Sequence, residues 1–100
     1  MTARIEIPKT KLRQFCRRNK IRRLSLFGSV LRDDFSSESD IDILVEFAPN
    51  AGIGLIKLAG LEIELSQLLG RKAEIHTVKG LNPRFKNEVL KLAETQYEQA

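Results

Sequence analysis

The segment "DIDILVEF", Asp40 to Phe47, constrains the fold more than any other. Ile41, Ile43 and Val45 alternate with Asp40, Asp42 and Leu44, the period of two expected of a strand with one apolar face. Asp40 and Asp42 then share the opposite face. Two carboxylates one pleat apart, side chains parallel, repel each other unless something positive stands between them. A divalent cation does this well, and magnesium in particular binds a few carboxylate oxygens while keeping places for water and phosphate oxygens. A solvated strand face accounts for the same pattern, so Asp-x-Asp alone decides nothing.

Upstream, "IRRLSLFGS" alternates Leu24 and Leu26 with polar residues and predicts a strand ending at Gly28. A short helix is expected from about Ser29 to Asp34. Glycine at a strand-to-helix turn lets backbone approach a phosphate closely, and a helix N-terminus presents unpaired N–H groups. The Ser29 hydroxyl can add a hydrogen bond to a phosphate oxygen. An N-cap serine after a turn glycine is the plainer alternative. Taken together, the two features suggest one nucleotide, with its triphosphate at Gly28–Ser29 and its metal at Asp40 and Asp42.

The rest of the chain supplies a frame. Pro8 and Thr10 open a helix-like stretch through Lys20, with Leu12, Phe15 and Cys16 at helical spacing. "LIKLAGLEIELSQLLG" predicts a long helix that stops at Gly70. "RKAEIHTV" predicts a third strand, with Ala73, Ile75 and Thr77 on one face. "LNPRFKNEVLKLAETQYEQA" predicts a last helix, capped by Asn82, with Pro83 in its first turn and a stripe of Phe85, Val89, Leu92 and Ala93. Strands and helices mix without strict alternation. The expected class is α/β (α+β), a small mixed sheet packed with helices, in one domain over residues 1–100.

Composition removes several functions. No apolar run approaches the roughly 20 residues that span a bilayer, and the first residues lack a secretory h-region. The single cysteine, Cys16, makes neither an internal disulfide nor a cysteine-based zinc site. A cytoplasmic protein without a membrane partner is expected. The net charge is +4, with Arg13, Arg17, Arg18, Lys20, Arg22 and Arg23 crowded together. Such a run suits phosphates or an acidic partner, but a solvated helix face explains it as well. A single aromatic residue, Phe15, falls among these arginines, too few for a single-strand stacking platform, so nucleic acid is not expected as a direct ligand. His76 and Tyr97 read as ordinary strand and packing or surface residues.

Gly28–Ser29, then ten residues, then Asp40–Ile41–Asp42 resembles the signature of the DNA polymerase β-like nucleotidyltransferase superfamily. "GSVLRDDFSSESDIDILV" is similar to the version in minimal nucleotidyltransferase (MNT) domains, which include the MntA-like antitoxins of HEPN/MNT toxin–antitoxin pairs. Arg32 and Ser39 match residues usual there, whereas Leu31 and Asp33 replace small ones. "GRKAEIHTV" resembles the family's later strand and puts Glu74 at the position of its third carboxylate, usually Asp.

The resemblance implies the polymerase β-like palm fold and a two-metal nucleotidyl transfer. Asp40, Asp42 and Glu74 would be the catalytic residues and the ligands of two Mg²⁺ ions. Gly28, Ser29 and Arg32 would hold ATP, although for Arg32 a surface pairing with Asp33 or Asp34 is the slightly favoured reading. A HEPN-domain RNase toxin is the implied partner, with AMP passed from ATP to one of its tyrosines. Two other readings stay open: an MNT-fold antitoxin that neutralises by binding alone, and a small-molecule adenylyltransferase. The second usually has an added acceptor domain, for which 100 residues leave little room.

Overall fold

A computed structural model of the chain describes residues 7–31 and 39–99. Helix α1 (Lys9–Arg18) leads into strand β1 (Ile21–Phe27), a 3₁₀ turn (Gly28–Leu31) and strand β2 (Ile41–Phe47). Helix α2 (Leu55–Leu69), strand β3 (Ala73–Thr77), helix α3 (Pro83–Leu92) and strand β4 (Glu94–Glu98) follow. The described residues thus form three α-helices and a four-stranded mixed sheet, an α+β fold. The sheet runs in the order β3-β2-β1-β4. β1 pairs antiparallel with both β2 and β4, while β2 and β3 are parallel. A parallel pair needs a crossover connection, which α2 supplies.

Helices α1 and α2 end by recognisable chemistry. The amide of Asn19 caps α1 by donating to the Phe15 carbonyl, and the Asn19 side chain donates to the same oxygen at 2.9 Å. Arg17 and Arg18 occupy the last turn of α1, where the helix dipole favours cations. Gly70 ends α2 with φ +71°, and the amides of Gly70 and Arg71 satisfy the carbonyls of Gln67 and Ser66.

The core lies on one face of the sheet. Leu12, Phe15 and Cys16 of α1 and Leu61 and Leu65 of α2 pack with Leu24, Leu26, Ile41, Ile43, Val45, Ala73 and Ile75. The Ile41/Ile43/Val45 alternation is thus the buried face that the sequence predicts. Leu44 is buried too, although it shares a face with Asp42. Register puts Leu44 between Ser25 and His76, whose side chains flank it on the sheet surface. Burial pushes the Cys16 thiol up to about 12, so it stays protonated and is no nucleophile at neutral pH.

Outer-edge groups of β3 are covered by α2. Ser66 Oγ accepts from the Ala73 amide at 2.9 Å, and Glu62 Oε2 accepts from the Ile75 amide at 2.8 Å. Side-chain cover of this kind blunts an edge that would otherwise template pairing with another chain.

The last helix is shorter than the sequence predicts. Asn82 Oδ1 caps it through the Arg84 amide and Pro83 opens it, as expected. It ends at Leu92, however, and "ETQYE" forms β4 against β1. Thr95 and Tyr97 favour strands, and β1 offers an edge to pair with. Tyr97 pairs with Leu24 and packs against the core, the first of its two expected roles. The expected stripe of α3 is not a core face: Phe85 is 52% exposed and Leu92 61%.

These burials order two substitutions. Leu65→Ala, at a fully buried site, should cost about 2–5 kcal/mol in urea denaturation. Phe85→Ala should cost less than about 1 kcal/mol, because little of the ring is removed from water. Equal losses would mean that α3 is packed by its stripe after all.

Candidate functional site

The site forms where the sheet surface opposite the core meets the turn after β1. Phe27, the last residue of β1, pairs with Asp42 of β2. Gly28 then takes φ +77°, a left-handed conformation that side chains disfavour. Val30 and Leu31, both buried, anchor the 3₁₀ turn that follows. A Cβ on Gly28 would stand 2.5 Å from Asp42 Oδ2. Glycine is therefore required for a reason additional to the one read from sequence. It clears space for a carboxylate as well as permitting the turn.

The parallel register sets Asp42 beside Glu74 on the neighbouring strand. His76 lies two residues beyond Glu74, on the same face. Its Nε2 is 3.4 Å from Asp42 Oδ1 and 3.7 Å from Glu74 Oε2. One donor atom from each of Asp42, Glu74 and His76 falls within 4.8 Å of the others. The His76 ring meets the Phe27 ring edge-on, with centroids 5.2 Å apart and planes at 70°. The three side chains are partly exposed, at 28% for Asp42, 44% for Glu74 and 33% for His76, although the His76 Nε2 atom itself is shielded from solvent.

Asp40 stands outside this cluster. It lies just before β2, with Oδ2 3.9 Å from Lys72 Nζ. Two bonds tie this segment to the start of β3: the Ile41 amide donates to the Lys72 carbonyl at 3.0 Å, and Arg71 donates to the Ser39 carbonyl at 2.7 Å. Of the predicted site residues, Gly28, Asp42 and Glu74 are thus brought together, with Asp40 at the margin beside Lys72. The Ser29 hydroxyl and Arg32 lie outside the described residues. His76, an ordinary strand residue by sequence, has no second His in the chain to mark it as a ligand. Its spacing of two from Glu74 was the available signal.

A donor set of two carboxylates and an imidazole on a solvent-facing surface suits a divalent cation. The residues present thus fit a metal ion. The basic run is divided by the fold. Arg18 pairs with Glu64 on α2, and Arg22 and Arg23 approach Glu46 at 3.6 and 3.4 Å. Arg23 also meets Glu98 at 2.5 Å. Arg18 lies on α1, as a solvated helix face requires, whereas Arg22 and Arg23 lie in β1, about half exposed and paired with acidic neighbours.

Gly28→Ala should cost about 1–2 kcal/mol from the left-handed backbone alone. The approach to Asp42 adds a second cost that depends on that side chain. In an Asp42→Ala background, the same substitution should therefore cost less. Urea denaturation of the four proteins in this cycle measures the coupling, and zero coupling would contradict the contact.

The nucleotidyltransferase domain family profile matches residues 9–94. A Methanocaldococcus jannaschii protein with the provisional name protein adenylyltransferase is 35% identical over 82 residues, covering 82% of this chain and 86% of that one. A second of that provisional name, from the same organism, is 38% identical over 71 residues, covering 70% of each. A solved structure described provisionally as a minimal nucleotidyltransferase superposes with a TM-score of 0.70 at 35% identity, covering 85% of both chains. A toxin–antitoxin structure with AMP-PNP shares the fold at a TM-score of 0.74 and 21% identity, over 93% of this chain and 75% of that one. So does a complex of a tri-AMPylated Shewanella oneidensis HEPN toxin with an MNT antitoxin, at 0.65 and 22%, over 91% and 70%. With a matching profile over most of its length and relatives this similar, the chain belongs to the nucleotidyltransferase domain family.

Proposed function

We propose that the chain is a metal-dependent protein adenylyltransferase that passes AMP from ATP to a tyrosine of a HEPN-domain RNase toxin, and so acts as its antitoxin. The observation that carries this reading is the pairing of Asp42 with Glu74 across β2 and β3, next to the Gly28 turn. Two relatives that carry the provisional name protein adenylyltransferase support the transfer of AMP to protein. The AMP-PNP complex and the AMPylated toxin complex, which share this fold, support the nucleotide and the partner.

In this reading each residue has a definite task. Gly28 and Ser29 hold the β and γ phosphates at the turn, and Arg32 adds positive charge. Asp40, Asp42 and Glu74 hold two magnesium ions. When bound, these ions neutralise the triphosphate and leaving pyrophosphate and lower the pKa of the attacking hydroxyl. Glu74 accepts the tyrosine hydroxyl proton. The tyrosine oxygen forms a bond to the α-phosphorus as the bond to pyrophosphate breaks.

Mass spectrometry of the partner toxin after incubation with the protein and Mg·ATP should detect added AMP groups on tyrosine. Asp40→Asn/Asp42→Asn should abolish both transfer and productive Mg·ATP binding by calorimetry. The fold should survive, since Asp42 faces away from the core. Glu74→Gln should lower transfer by more than the roughly 10–100-fold that loss of an outer-sphere partner costs, with the toxin complex intact. Glu74→Asp should keep activity. No adduct from the unmodified chain, with full neutralisation by an Asp40/Asp42/Glu74 triple variant, would favour an antitoxin that acts by binding alone. Glu74 in place of the usual Asp is the feature that favours that second reading.

A further inference from the structure

We infer that His76 Nε2 is a nitrogen ligand of the cation held by Asp42 and Glu74, and that it tilts this site from Mg²⁺ toward a first-row transition ion such as Mn²⁺. The inference rests on the metal-site reading above and adds to it a donor of a different chemical kind.

Three observations carry it. First, Nε2 is solvent-inaccessible and makes no hydrogen bond among the described residues. A buried polar atom without a partner is rare in native proteins and calls for an explanation. Second, this nitrogen is not remote from polar atoms. Carboxylate oxygens stand 3.4 and 3.7 Å away, yet neither completes a hydrogen bond with it. Ligands bonded at about 2.1 Å to one ion stand roughly 3 to 3.5 Å from each other, so small side-chain adjustments bring all three to a common centre. Third, the imidazole is held in place. Its ring lies against the edge of Phe27, and its backbone is registered to Leu44 in the centre of the sheet.

The donor set has a consequence for metal choice. Carboxylate oxygens alone suit magnesium, a hard ion. An imidazole nitrogen adds little for magnesium and more for manganese, cobalt, nickel or zinc. A strand residue without a nitrogen at position 76 would leave an all-oxygen site.

Pulsed electron paramagnetic resonance on the intact protein loaded with Mn²⁺ alone tests this without relying on activity. The spectrum should show ¹⁴N modulation from a coordinated imidazole. The modulation should vanish in His76→Val and His76→Gln, of which the second keeps a polar side chain should the first fold poorly. Calorimetric titration with Mn²⁺ and with Mg²⁺ should show the preference for Mn²⁺ falling about tenfold in either folded variant. Absence of ¹⁴N modulation in the unmodified protein, or an unchanged Mn²⁺/Mg²⁺ ratio in the variants, overturns the inference. That result leaves the adenylyltransferase reading standing if Mg·ATP still binds. Conversely, ¹⁴N modulation in a protein that binds no nucleotide supports the nitrogen ligand and sinks that reading.

Discussion

The parallel pairing of β2 with β3 is the constraint on which the site depends. It alone sets Asp42 beside Glu74, residues 32 positions apart in the chain. Parallel pairing is slightly weaker per residue than antiparallel and has no tight turn to fix its register. Here the register is fixed at both layers. The Ile41 amide bonds to the Lys72 carbonyl at the start of the strands, and Ile41, Ile43, Ala73 and Ile75 bury the reverse side. A slip by one residue would turn the carboxylates into the core and the isoleucines to solvent, and burial forbids it.

The same arrangement concentrates negative charge that the fold does not need. Like charges opposite one another on neighbouring strands destabilise a sheet. Two cationic or potentially cationic groups stand close by, Lys72 near Asp40 and His76 near Asp42 and Glu74. Lys72 immediately precedes β3 and His76 lies within it, on the strand whose own Glu74 contributes to the repulsion. This departure from local stability, placed beside a left-handed glycine, is one that packing of the core does not require. The chain that carries it belongs to the nucleotidyltransferase domain family.

Much of this could be read from residues alone, and the misses have specific causes. β2 was legible because its period of two is uninterrupted. Glu74 was placed on the site face by the same alternation. Gly28 was identified as essential, but sequence could not show that Asp42 Oδ2 would occupy the space of its Cβ, since that contact crosses two strands. His76 is not legible as a ligand because its neighbours at the site are carboxylates, one on its own strand and one on the next, and the second is brought near only by the fold. β4 was hidden because no glycine or proline separates "ETQYE" from the helix before it. Only the edge of β1, which is a tertiary feature, draws those residues into a strand. The exposed faces of Phe85 and Leu92 show the complementary error: helical periodicity marks a stripe without saying what covers it.

The bond from the Ile75 amide to Glu62 has a mechanical meaning. Ile75 sits between Glu74 and His76, so the backbone that spaces these two donors is tethered to a side chain of α2. Ser66, one turn further along α2, grips Ala73 on the other side of Glu74. Helix and strand are thus riveted at two points that straddle the carboxylate. A displacement of α2 would therefore be carried into the backbone that spaces the Glu74 and His76 side chains.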